Sequence, residues 1–94
     1  LQNFTLYEKL CDLAEWLFPI AERWPKHEKF VLVTQTKNCV HDMTRIAIRA
    51  QKSSRHKLYW LYELDVQLQM LRHFVRHAHS RRYLTWDHVF RFAA

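Results

Sequence analysis

Not one of the 94 residues is glycine, and only Pro19 and Pro25 are proline. Glycine is the residue that enters left-handed backbone without steric cost. A chain without it is a poor candidate for two-residue hairpins, phosphate-cradling loops or dinucleotide-binding turns. Helices joined by ordinary turns are what such a chain can build. Hydrophobic residues make up 49% of it, which is enough to drive a core and sets disorder aside. A chain of this length makes one domain, residues 1–94, with a modest core that burial against a partner could extend.

The apolar residues follow helical spacing. Thr5 and Glu8 have the spacing of a capping box. Leu6, Leu10, Leu13, Leu17, Ile20 and Trp24 then form a seam stepping by four and three. Pro19 lies within it and predicts a kink near Glu15–Trp16 or a break there. Pro25 marks a turn or a new helix entry. From Glu28 to Ala50 a second seam runs through Leu32, Thr36, Cys39, Met43, Ile46 and Ala50, widened by Phe30, Val33, Val40 and Ala47. The loop-like stretch from Gln51 to Arg55 is short, so the helices on either side are expected to be antiparallel neighbours.

The third helix, from Lys57 to His79, carries two apolar faces. Leu61, Leu64, Leu68, Leu71, Val75 and Ala78 form one. Tyr59, Tyr62, Val66, Met70, His73 and His77 form another that points away from it. One face suffices for the core of a small bundle. The second predicts an interface between subunits or a docking surface. Thr85 and Asp87 read as the start of a short fourth helix whose apolar face is Trp86, Val89, Phe90 and Ala93. The predicted class is all-α, an antiparallel four-helix bundle with a short fourth helix.

The net charge of +6 is uneven. Residues 1–54 hold eight cations against six acids, and residues 55–94 hold seven against three. Arg72, Arg76, Arg81 and Arg82 fall at the end of the third helix, and Lys52, Arg55 and Lys57 gather at its start. Cations at a helix C-terminus also complement the helix dipole, but four without an intervening acid exceed what capping requires. Such a surface suits an acidic partner, RNA or DNA, held through phosphate rather than through base edges.

Other chemistries fit less well. His73 and His77 have the i, i+4 spacing of metal ligands, but no carboxylate or cysteine completes a set beside them, and the arginines disfavour a dication. No metal, cofactor or catalytic constellation is predicted, and the chain does not read as an enzyme. Cys11 and Cys39 stand alone and read as reduced core residues of a cytoplasmic protein. No run of residues is long and apolar enough to span a bilayer.

Several segments resemble the Avd family, the accessory variability proteins of diversity-generating retroelements. They are Tyr7–Leu10, Trp16–Pro25, the basic-aromatic pair Lys29-Phe30, and Leu68–Arg76, and the likeness extends from about Phe4 to His88. Lysine stands before Phe30 where the family pattern has arginine, and the fourth helix is shorter than the family pattern. The resemblance implies a homopentameric, barrel-like ring of four-helix bundles. It also implies a non-catalytic partner of the retroelement reverse transcriptase that helps the enzyme engage template RNA. The family's basic helix pattern falls on Arg72 and Arg76. A related family, encoded within intervening sequences of 23S ribosomal RNA genes, implies instead a homo-oligomeric bundle with a scaffold or RNA-associated role.

Overall fold

The computed structural model describes residues 2–85, and these residues form helices and turns without strands. Helix α1 spans Gln2–Ala21, α2 spans Thr34–Lys52, and α3 spans Lys57–Ser80. The expected fourth helix, from Thr85 onward, lies outside the described residues.

Helix α1 begins three residues before the predicted Thr5 cap and runs through Pro19 without the predicted break. Pro19 and Glu15, whose carbonyl loses its helical partner, both face solvent, so the missing hydrogen bond costs little. The helix then tightens. Arg23 N–H donates to the Ile20 carbonyl and Trp24 N–H to the Ala21 carbonyl, both at 3.1 Å. Pro25, with ψ 146°, stops it.

The second helical segment changes pitch twice. Lys26–Glu28 form a 3-10 turn, Lys29–Val33 a π-helical turn, and the α pitch starts at Thr34. The Thr34 hydroxyl donates to the Lys29 carbonyl at 2.7 Å and closes the wide turn. The wide turn lets Leu32 and Val33 both point inward while Phe30 and Val31 point out. Phe30 is therefore not part of the core, contrary to the sequence reading. All six residues of the predicted α2 seam, Leu32 to Ala50, are buried.

Helix α2 packs against both α1 and α3, and those two flanking helices barely meet. The core falls into two clusters. One joins Leu10, Leu17, Cys39, Val40, Met43, Ala47 and Leu71. The other joins Ala21, Trp24, Leu32, Val33, Val75, Ala78 and Leu84 at the end where α3 finishes. Between α1 and α3 an apolar groove of about 370 Å³ remains, lined by Leu6, Leu13, Leu61, Leu64 and Leu68.

Helix α3 ends in a Schellman motif built without glycine. Tyr83 N–H donates to the Ala78 carbonyl and Arg82 N–H to the His79 carbonyl, each at 2.9 Å. Arg82 occupies the left-handed position with φ 66°, the one positive φ among the described residues. A side chain there costs about 1–2 kcal/mol relative to right-handed backbone. Arg82→Gly is accordingly expected to raise unfolding stability by roughly 1 kcal/mol in chemical denaturation. A loss of stability would show that the arginine side chain itself holds the turn.

Candidate nucleic-acid and partner interface

The candidate residues sit at three places. Arg72 and Arg76 are exposed, and neither meets a carboxylate among the described residues. Arg72 lies one turn beyond Leu68, so the pair borders the side of α3 that faces the groove with α1. Arg81 and Arg82 follow in the exposed turn. The Arg81 Nε donates to His77 Nε2 at 3.0 Å, which makes that ring nitrogen the lone-pair acceptor.

Lys52, Arg55 and Lys57 are at the other end of α3, about 28 Å from Arg76 at helical rise. Lys52 and Arg55 are exposed and Lys57 is half-buried. Ser53 Oγ accepts from the His56 N–H at 2.9 Å and shapes the short turn between them. Arg49, one turn before that loop, is held over the Trp60 ring with its guanidinium carbon 5.1 Å from the centroid. The structure thus divides the seven predicted cations into two separate basic poles.

The second apolar face of α3 is exposed in the protomer. Tyr62 is 67% exposed, Tyr59 55%, Met70 42% and Val66 39%. His73 and His77 continue the stripe with their rings stacked 6.5 Å apart. Met70 also lines a small cleft against α2 with Gln35, Asn38 and Asp42. By helical position the stripe lies opposite the buried Leu71–Val75 face, with Met70 at its α2 border, and Arg72 and Arg76 lie between it and the groove with α1.

The sequence reading missed a third basic element. Arg23, Lys26 and Lys29 are exposed around the turn at Pro25. Glu22 and Glu28 appear to balance them in the sequence, but both acids are engaged. Glu22 is held by Lys37 at 2.6 Å. Glu28 is buried and accepts a 3.0 Å hydrogen bond from the Tyr83 hydroxyl. The Tyr83 ring lies 6.1 Å from Trp24. This contact spans 55 residues and ties the basic turn after α1 to the Arg81–Arg82 turn after α3. The local signal was three cations in seven residues around Trp24-Pro25, and only the fold shows that their neighbouring acids are taken.

No group of three or more histidines, cysteines, aspartates or glutamates comes together as a metal site among the described residues. Cys39 is buried, its Sγ donates to the Gln67 carbonyl at 3.2 Å, and its thiol is pushed up to about 11 by burial and then by Asp42. A thiol held protonated in this way is a poor nucleophile. No described helix is long and apolar enough to cross a membrane.

A model of the bAvd-like family matches residues 4–92. The chain belongs to that family. No curated protein and no solved structure matches it. Membership makes the bAvd-like chain an Avd-type accessory protein, a kind that is not catalytic. The Lys29-Phe30 pair, Arg72 and Arg76 all fall within the matched span.

Proposed function

We propose that this bAvd-like protein is an accessory factor of a diversity-generating retroelement. It binds the reverse transcriptase and template RNA through basic surfaces and supports mutagenic copying without catalysing it. The observation that carries the reading is the Arg72–Arg76 edge, two exposed guanidinium groups one turn apart with no carboxylate partner among the described residues. Guanidinium pairs of this kind suit bidentate contact with phosphate or with a protein carboxylate.

The functional unit in this reading is a homo-oligomer, a pentameric ring closed through the exposed α3 stripe. Stripe and basic edge occupy neighbouring strips of α3, so a ring that buries the first sets the second at its rim, open to a partner. Repeated around a ring, each weak basic edge gains avidity for a long RNA.

The test is co-purification with the cognate reverse transcriptase and its template RNA. Arg72→Ala combined with Arg76→Ala is expected to reduce recovery of both at least severalfold with helicity unchanged, because the two side chains make no ion pair among the described residues. Undiminished recovery would remove this edge from the binding surface, and an unfolded double variant would make the arginines structural.

A further inference from the structure

Phe30 is an 83% exposed aromatic beside the buried Leu32 and Val33. The π-helical turn Lys29–Val33 holds it outward. Such turns interrupt a helix at some cost and are frequent at functional sites. Lys29 Nζ lies 5.6 Å from the centre of the ring. Arg23, Lys26, Arg81 and Arg82 complete an exposed set of cations on the two turns that Tyr83 joins. The acids beside the turn after α1 are engaged, Glu22 by Lys37 and Glu28 by Tyr83. This pole therefore pairs an exposed aromatic ring under Lys29 with four further exposed cations on the joined turns, and the described acids of those turns are engaged.

We infer that Phe30 is a base-stacking residue for single-stranded nucleic acid, with Lys29, Lys26, Arg23 and the Arg81–Arg82 turn holding the flanking phosphates. The inference rests on the RNA-binding reading above and names a different site and the state of its ligand. An exposed ring can stack only on a base that is itself unstacked, so the ligand is an unpaired strand and not a duplex. Lys29 covers part of the ring and stands where the sugar–phosphate of a stacked nucleotide would pass. Charge favours a polyanion over an ordinary protein partner, since the exposed Phe30 and Val31 are accompanied by five exposed cations on the two joined turns.

The experiment is fluorescence anisotropy with a labelled mixed-sequence single-stranded RNA, the same RNA annealed to its complement, and heparin as a polyanion without bases. Phe30→Ala should weaken single-strand binding roughly 5- to 100-fold, the range expected for loss of one stacked base. Duplex and heparin binding should change less than about twofold, because phosphate contacts are untouched. Phe30→Leu, which keeps apolar area without a π face, should lose nearly as much as alanine, and Phe30→Trp should bind as well as the native chain. The exposure of Phe30 lets all three variants keep the native fold, which circular dichroism checks.

Equal binding by Phe30→Ala and the native protein would overturn the inference while leaving the basic-surface reading in place. Equal losses on single strand, duplex and heparin, or full rescue by leucine, would also overturn it. So would a loss confined to vesicles of anionic phospholipid or to the reverse transcriptase protein. A native protein that binds no nucleic acid at all would overturn both this inference and the proposed function.

Discussion

Tyr62→Glu combined with Met70→Glu is expected to convert the proposed oligomer to a folded protomer of 11.6 kDa by light scattering. Both side chains lie on the exposed stripe of α3, at 67% and 42% exposure, so carboxylates there are fully hydrated in the isolated protomer. In an assembly the same groups would be buried without a partner. An unpaired buried charge costs several kcal/mol, and each interface would carry two. Association should therefore weaken by more than about a hundredfold, while helicity and unfolding temperature of the protomer stay near native. The proposed pentamer would run at five times the protomer mass. A native chain that already runs as a protomer, or a double variant that still assembles, would remove the stripe from the interface.

Leu71→Ala is expected to cost about 3–5 kcal/mol of unfolding free energy, measured by chemical denaturation. Leu71 is fully buried and joins α3 to the cluster formed by Leu10, Leu17, Val40 and Met43. Truncation removes its own burial and leaves a cavity between α2 and α3. Among the described residues α2 makes the broadest contact with α3, so the cavity would open in the main interface that holds α3. Domains of this size have total stabilities of about 5–15 kcal/mol, so the variant should be marginal or partly unfolded at physiological temperature. A loss below about 1 kcal/mol would mean that α3 is held chiefly by contacts outside the described residues.

The helical seams were open to reading because their spacing is local. Leu32, Thr36, Cys39, Met43, Ile46 and Ala50 all turned inward, since side chains three and four apart must share a face. The same rule separated the Tyr59–Met70 stripe from the core of α3. Two features of the sequence were overweighted. Of the kink or break expected at Pro19, α1 shows no break, and Pro19 and Glu15 both lie on its exposed face. Phe30 did not widen the α2 seam, because the segment from Lys29 to Val33 is π-helical and has a different period.

What the sequence could not show depends on contacts between distant residues. Nothing local couples Glu28 to Tyr83, yet that bond engages a basic turn's nearest acid and brings two basic turns to one pole. Nor does local charge counting show that Lys52, Arg55 and Lys57 are separated from Arg72 and Arg76 by most of a helix. The absence of glycine had a visible consequence of its own. The turn after α3 still adopts the left-handed geometry that glycine normally supplies, with Arg82 in its place.

The central claim is that the basic edge of α3 holds nucleic acid through phosphate. Its most direct test is the salt dependence of binding to a labelled single-stranded RNA, for the native protein and for Arg72→Ala with Arg76→Ala. The native log–log plot should fall steeply with salt, and the double variant should lose about 1.4 from the slope, about 0.7 for each phosphate contact removed. A native affinity that ignores salt, or a double variant with the native slope, would contradict the account.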